Sequence, residues 1–235
     1  MKRQQGFTLI EIAIVLVIIG LLLGGVLKGQ ELITSARVRN LISTQDGIKA
    51  AYFGFLDRFR ALPGDYTAAA TNINGVATTN NGNGNGRVET GLTATATTVA
   101  EEHILVWEHL SKAGFLNGSY TYNTTESTAT TPSNPYGVRM RVIYDGVYGI
   151  ASGGSQRHNI KTGPQIPVDI IVEVDRKIDD GLPYTGGFQF SAYAAGGTAP
   201  TENGAASPIC TSGNTVTATW NATNGSNNCG AASLL

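Results

Sequence analysis

A long apolar segment near the start of the chain constrains its fold more than any other feature. It runs from Phe7 to Leu27, and as a helix rising about 1.5 Å per residue it would span about 30 Å, the apolar thickness of a bilayer. Lys2 and Arg3 precede it, and no basic residue follows until Lys28. We therefore expect a single transmembrane helix whose basic end stays in the cytoplasm.

The apolar segment is expected to remain in the mature protein. A secretory signal peptide has a shorter apolar region followed by a small-residue cleavage site of the A-x-A kind. No such site follows Leu27, and the obvious position for a cut, between Gly6 and Phe7, precedes the segment.

One charged residue, Glu11, lies inside the apolar segment without a basic partner there. A carboxylate in lipid costs several kcal/mol, so it must either be protonated or find a partner. We expect that its position serves a contact beyond the isolated helix.

The N-terminal residues resemble those of a known family. Gly-Phe-Thr-Leu-Ile-Glu followed by an apolar helix is similar to the class III signal of type IV pilins and type II secretion pseudopilins. The resemblance implies that prepilin peptidase cuts after Gly6 and methylates the new amine of Phe7, and that Glu11 is required for assembly. It covers residues 1 to about 35; an ordinary signal anchor that contains a glutamate is the alternative.

The resemblance also implies a partner for Glu11. Cleavage would create a positive amine on Phe7, four residues away, and in a filament the nearest such amine could equally belong to the next subunit. Removing one member of a buried ion pair costs more than the pair contributes, so the contact can set the axial register of subunits even where its net stabilisation is small.

We expect an α+β fold of the pilin type, in which a long N-terminal helix packs on a small antiparallel-sheet domain. Apolar residues continue at helical spacing through Leu41, Ile48 and Phe55, so the helix is transmembrane first and amphipathic afterwards, and Pro63 predicts its end. The predicted parts are a leader peptide (1–6), the helix (7–60) and an extracytoplasmic globular domain (61–235) with a C-terminal disulfide-bounded loop.

Two further helices are predicted in the globular domain. The pattern over 101–113 predicts a helix on which His103 and His109 do not share a face, so we expect both at the surface and not on a metal. Pro167 suits the start of another helix, although a strand over 170–174 is the alternative.

Strand patterns follow in two places. Alternating apolar residues over 138–150 predict a β-hairpin whose turn is Asp145-Gly146. A last strand is predicted at Phe188, Phe190 and Tyr193.

A weak calcium pattern lies in the polar segment before the second helix. Asn81, Asn83 and Asn85 alternate as in the first half of a Ca²⁺ loop, and Glu89 is the nearby carboxylate. The first three ligand positions are neutral, however, and Leu92 stands where a glutamate is expected. An ordinary Asn-Gly turn is the alternative, and we expect no other cofactor.

The densest acidic group in the chain is formed by Asp175, Asp179 and Asp180, with Arg176 and Lys177 between them. This pattern fits either a solvated helix end or a cation site.

The chain has two cysteines, Cys210 and Cys229. An even number in an exported chain favours a disulfide, here closing a loop of about 20 residues. Two free cytosolic thiols are the alternative, against which the N-terminal segment argues.

Composition and motifs limit the classes of function that we expect for this chain. The net charge of −1 and a charged fraction of 14% provide no basic stripe, so nucleic acid is an improbable partner. The sequence contains no H-E-x-x-H, G-x-S-x-G, P-loop or C-x-x-C motif, so we do not expect an enzyme.

The resemblance therefore implies a structural subunit of a type IV pilus or type II secretion pseudopilus. Its partners would be prepilin peptidase, the inner-membrane assembly platform, and copies of itself and other pilins. It would lie in a bacterial inner membrane before assembly, with its N-terminus cytoplasmic, and in a periplasmic or cell-surface filament afterwards. A minor tip-located pilin, acting as an adhesion or substrate-binding module, is the alternative.

Overall fold

The computed structural model describes residues 8–90, 101–150, 153–202 and 209–235. Contacts divide the chain into two compact units, one ending at Arg37 and the other beginning at Val38. The described elements are, in chain order, α1 (Leu9–Phe59), α2 (Ala69–Asn72), α3 (Glu102–Lys112), β1 (Arg141–Asp145), β2 (Arg157–Lys161), α4 (Val168–Ile178), β3 (Phe188–Phe190), a 3-10 helix (Ala222–Asn224) and β4 (Ala231–Leu234).

The described part of the first unit is the N-terminal part of α1, whose apolar side chains are exposed. An 18-residue window of α1 has a mean hydropathy of 2.8, and none of that window is buried. Leu9, for example, is 89% exposed. By length and composition this helix is able to cross a membrane.

The second unit packs around the remainder of α1. Val38 and Leu41 belong to one buried cluster, together with side chains of α4, β3 and the disulfide. Ile48, Tyr52 and Phe55 belong to a second buried cluster, together with side chains of α3, β1 and β2. The amphipathic part of α1 therefore contributes to both halves of the core, as its helical spacing predicts.

The second unit contains a four-stranded antiparallel sheet in the order β1-β2-β4-β3. Arg141 pairs with Lys161 at one end of the β1–β2 ladder. Ser233 of β4 pairs with Ile160 of β2 on one side and with Phe188 of β3 on the other. The C-terminal residues thus complete the middle of the sheet. The prediction of an α+β fold, with a long apolar helix and a small antiparallel sheet, is confirmed.

The predicted helices are also present. α1 ends at Phe59, shortly before Pro63, and α3 spans Glu102–Lys112. α4 begins directly after Pro167, so this segment is a helix and not a strand. Ile171 and Val174 on α4 are fully buried, in keeping with an amphipathic helix that faces the core.

The predicted hairpin turn at Asp145-Gly146 is wrong. β1 ends at Asp145, but its partner β2 begins only at Arg157. The Asp145 carboxylate accepts a hydrogen bond from the Val147 N–H and pairs with the Lys161 Nζ at 2.8 Å. These contacts hold the chain after β1 in a turn that does not continue as the second strand of a hairpin.

The prediction of the last strand is partly wrong. Phe188 and Phe190 lie in β3, but Tyr193 lies outside it and β4 follows. β4 has the sequence Ala-Ala-Ser-Leu, and alanine has little intrinsic preference for strands. This strand exists because both of its neighbours offer backbone hydrogen-bond partners.

The expectation that both histidines of α3 lie at the surface is wrong. His109 is fully buried and His103 is 5% exposed, because residues from Glu102 to Leu110 are buried on every side of the helix. The His109 Nδ1 accepts a hydrogen bond from the Gly64 N–H at 3.0 Å, so its Nε2 carries the proton and donates to the Asn80 C=O at 3.0 Å.

The protein should become less stable in acid through His109. Burial lowers the pKa of His109 to about 4, although its hydrogen bond with Asn80 acts in the opposite direction. Because the folded-state pKa lies below the unfolded value of about 6.5, the stabilisation is complete above pH 6.5 and is lost as the pH falls towards 4, a change of up to about 3 kcal/mol. Denaturant unfolding of the detergent-solubilised protein, followed by tryptophan fluorescence, measures it.

A His109→Gln variant isolates this contribution. Burial raises the pKa of Glu102 to about 7, so Glu102 favours the folded state at low pH and opposes His109. Both proteins contain Glu102, and the difference between their pH profiles therefore reports His109. Equal slopes between pH 6.5 and 4 in the two proteins would contradict the prediction.

Candidate functional site

The described part of the N-terminal motif consists of Thr8 and the residues after it. The Glu11 carboxylate accepts hydrogen bonds from the Thr8 N–H at 2.8 Å and the Thr8 hydroxyl at 2.7 Å. In return, the Glu11 N–H donates to the Thr8 Oγ1 at 3.4 Å. Since α1 begins at Leu9, Thr8 and Glu11 form a capping box that satisfies N–H groups at the helix start.

The capping box gives Glu11 a role that sequence reasoning missed. The Thr-x-x-Glu spacing in the printed sequence is the signal that could have found it. The hydrogen bonds from Thr8 compensate part of the cost of a carboxylate in an apolar segment. Glu11 is nevertheless exposed, so it remains accessible to a partner outside the chain.

Gly6 and Phe7 lie outside the described residues. Cleavage between them, methylation of Phe7 and the pairing of Glu11 with an amine therefore stay predictions. The next charged residues after Glu11 are Lys28 and Glu31, which pair at 2.7 Å. The helix between Glu11 and this exposed pair is apolar.

The predicted disulfide between Cys210 and Cys229 is present. Both cysteines are fully buried, and they belong to the same apolar cluster as Trp220 and Ile166. The Cys229 backbone exchanges hydrogen bonds with that of Ile166, and β4 begins two residues later at Ala231. The disulfide therefore attaches its loop to the core beside a central strand of the sheet.

Replacing both cysteines should lower the free energy of unfolding by about 3 kcal/mol, because a cross-link closing a loop of roughly 20 residues restricts the unfolded chain. Denaturant unfolding of a Cys210→Ser/Cys229→Ser variant measures this change. Wild-type protein unfolded under reducing conditions is the matched comparison and should lose a similar amount. A loss below about 1 kcal/mol in both would contradict the prediction.

The three asparagines of the calcium pattern act as acceptors for backbone N–H groups. The Asn81 Oδ1 accepts from the Ala70 N–H, and the Asn83 Oδ1 accepts from the Asn85 N–H at 2.9 Å. The Asn85 Oδ1 accepts from the Arg87 N–H at 2.8 Å, and the Asn85 Nδ2 donates to the Glu89 Oε2 at 2.9 Å. These are the contacts of an Asn-Gly turn segment, the alternative considered from the sequence.

Two buried carboxylates that sequence reasoning missed hold this segment. The Asp65 carboxylate accepts from the backbone N–H groups of Gly84, Asn85 and Gly86 at 2.6 to 3.0 Å. The Glu102 carboxylate accepts from the Asn83 and Glu89 N–H groups at 2.9 and 3.2 Å. No local sequence pattern predicts these contacts, because each carboxylate and the N–H groups that it binds are 13 to 21 residues apart in sequence.

The hydrogen bonds in this segment do not favour the binding of a calcium ion. Burial raises the pKa of Asp65, despite its hydrogen bonds to the segment. Every carboxylate oxygen of Asp65 and Glu102 already accepts a backbone N–H of the segment, so the oxygens that an ion would use already have partners. Asp65, Glu89 and Glu102 are the carboxylates that could hold an ion here, and the site stays a prediction.

Asp175, Asp179 and Asp180 place one carboxylate oxygen each within 4.8 Å of one another. Asp175 is fully buried and accepts a 2.6 Å hydrogen bond from the Trp220 Nε1. Asp179 accepts from the Phe188 N–H at 2.7 Å. Burial raises the pKa of Asp175 to about 6. Each carboxylate thus stabilises the chain around the end of α4, and nothing in the group requires a cation.

Comparison with known proteins gives a result for the N-terminal segment. A family model described as the prokaryotic N-terminal methylation motif matches residues 1–27. No curated protein and no solved structure is significantly similar to the chain. The match covers Glu11, Thr8 and most of the exposed apolar part of α1. Over residues 1–27 the chain carries the prepilin-type signature of type IV pilins and pseudopilins.

Proposed function

We propose that the chain is a structural subunit of a type IV pilus or a type II secretion pseudopilus, cleaved by prepilin peptidase and assembled through its apolar N-terminal helix. The observation that carries this proposal is the exposed apolar helix that begins within the methylation motif. Side chains such as those of Leu9 and Leu21, 89% and 74% exposed, require lipid or the helices of other subunits around them.

The same observations support a location for each stage. Before assembly the helix anchors the chain in the inner membrane, with Lys2 and Arg3 on the cytoplasmic side. After cleavage, copies of the chain and of other pilins cover the apolar side chains in a periplasmic or surface filament. The inner-membrane assembly platform is the partner that moves subunits between the two environments.

A minor, tip-located subunit with a binding role is the second candidate. The observation that favours it is a pair of cavities beside Arg141 on the globular unit. The abundance of the chain in sheared filaments distinguishes the two roles, because a major subunit dominates such a preparation and a tip subunit is scarce.

The mature chain should begin at an N-methylated Phe7. Mass spectrometry of the N-terminal peptide from membranes or filaments tests this, and a Gly6→Val variant should keep residues 1–6 because the cut is made after glycine. A mature chain that begins elsewhere would remove the basis of the proposal.

Three variants separate the charge of Glu11 from its capping role. Glu11→Gln keeps an oxygen for the capping contacts but cannot pair with an amine, whereas Thr8→Val keeps the carboxylate and loses the hydroxyl. If charge pairing sets the subunit register, Glu11→Gln and Glu11→Ala should lower filament yield roughly tenfold or more, since breaking one side of a buried pair costs several kcal/mol. Thr8→Val should assemble far better than either.

The readout for these variants is the ratio of chain in sheared filaments to chain in the membrane. This ratio corrects for differences between the variants in expression and in membrane insertion. The register hypothesis is wrong if Glu11→Gln assembles as well as the wild type, and the capping box is the important contact if Thr8→Val fails equally.

A further inference from the structure

Two cavities of mixed polar and apolar lining adjoin each other on the second unit, on either side of Arg141 in β1. The first has a volume of about 530 Å³, and its wall includes Ile143, Asp145, Val147 and Tyr193. The second has a volume of about 450 Å³, and its wall includes His103, Thr124, Thr125, Glu126 and Arg139. Both are lined by Thr90 and Arg141, and both volumes lie in the range of small-ligand sites.

The partition between the cavities is a fixed group of three side chains. The Arg141 Nε donates to the Glu126 Oε1 at 2.7 Å, and the Tyr193 hydroxyl donates to the Glu126 Oε2 at 3.2 Å. The Arg141 guanidinium also lies over the Tyr193 ring, 4.5 Å from its centre. Mutual contacts of this kind hold polar groups in one orientation before any ligand arrives, which lowers the cost of binding.

The charge state of Glu126 follows from the same contacts. Burial alone would raise the pKa of Glu126, but hydrogen bonds and charge interactions with His103 and Arg141 outweigh it and lower the pKa to about 2. Glu126 is therefore an acceptor at physiological pH.

Two polar atoms in the wall of the second cavity have no hydrogen-bond partner among the described residues. They are the His103 Nδ1 and the Arg139 Nε, the latter lying 3.8 Å from the Glu126 Oε2, beyond hydrogen-bond distance. His103 is 5% exposed, and its ring nitrogens lie 3.4 Å from carboxylate oxygens of Glu101 and Glu126. Buried polar atoms without hydrogen bonds are uncommon and destabilise the folded state. Their position in a cavity wall indicates a ligand that supplies the missing partners.

The charges around the cavities define the chemical class of that ligand. Asp145 is paired with Lys161 at 2.8 Å, and Glu89 with Arg87 at 3.7 Å. Glu126 is paired with Arg141 in the partition, and the Glu101 carboxylate, which also lines the second cavity, lies 3.4 Å from the His103 Nδ1. An anionic ligand would meet these carboxylates and a cationic ligand would meet the guanidinium groups, so neither sign of charge is favoured.

A neutral ligand with many hydroxyl groups fits this environment better. Hydroxyls can accept from guanidinium N–H groups and donate to carboxylates, and they can serve the His103 Nδ1 in either protonation state. The apolar C–H faces of such a ligand can lie against Ile143, Val147 and the Tyr193 ring. We propose that the two cavities beside Arg141 bind a neutral saccharide, with Arg141, Tyr193 and Glu126 as its central contacts.

This site does not depend on how the chain assembles. It lies wholly in the second unit, so failure of the N-terminal predictions would leave it untouched. Conversely, absence of sugar binding would leave the structural role of the N-terminal helix unaffected.

Saturation-transfer NMR on the full chain tests the proposal, in a detergent that has no sugar head group. The neutral probes are maltotriose, cellotriose, chitotriose and lactose, and the acidic comparison is sialyllactose. At least one neutral sugar should bind with a Kd of about 1 mM or below. No signal from any neutral probe at about 10 mM overturns the proposal.

A matched pair of variants locates the binding. Val147 lines the first cavity and is 51% exposed, whereas Val216 lies between the two cysteines and is 57% exposed. Val147→Trp should fill the cavity and weaken binding at least tenfold, and Val216→Trp should bind as the wild type does. Both substitutions are at exposed positions, and unchanged near-ultraviolet circular dichroism confirms that the fold is kept.

A second variant tests the partition directly. Tyr193→Phe keeps the ring beside Arg141 and removes the hydroxyl that donates to Glu126, so neutral-sugar binding should fall severalfold. Equal binding by Val147→Trp and the wild type would overturn the proposal. It would also be overturned if only sialyllactose bound and Val147→Trp abolished that signal, because the cleft would then select an anion.

Discussion

The uncovered apolar surface of α1 is the constraint on which the rest of this chain depends. Burying a large apolar side chain stabilises a protein by about 1.5 to 3 kcal/mol. None of the 18-residue apolar window of α1 is buried, so the chain alone does not gain this stabilisation there. A single copy in water would leave this surface exposed. The N-terminal part of the chain therefore needs an apolar environment, which under the proposed function a bilayer and then other subunits provide.

The second unit, by contrast, has a buried core of its own. Its sheet closes only when β4 enters between β2 and β3, and the disulfide lies directly before that strand. The Ser233 hydroxyl of β4 donates to the Gln45 side chain of α1, and both residues are buried. One polar contact thus joins the long helix to β4, so the C-terminal strand packs against the part of α1 that belongs to the second unit.

The features that could be predicted from the sequence are those that a local pattern encodes. The length of α1 and the helical identity of α4 follow from apolar spacing and from Pro63 and Pro167. β2 and β4 could not be predicted, because Arg-His-Asn-Ile-Lys and Ala-Ala-Ser-Leu become strands only through their neighbours. The burial of His109 likewise depends on Gly64, which is 45 residues distant in the chain.

The candidate functional residues likewise fall into those that a local pattern predicts and those that depend on distant segments. The motif around Glu11 is local, and its family model matches residues 1–27; even the capping box was present as Thr-x-x-Glu. Other candidate groups are assembled from distant segments, and no spacing in the sequence predicts them. They are the carboxylates of Asp65 and Glu102 and the cavities beside Arg141. Polar partners within the chain satisfy most of these groups. Those that lack one, or that remain exposed as Glu11 does, mark the places where another molecule can complete the contact.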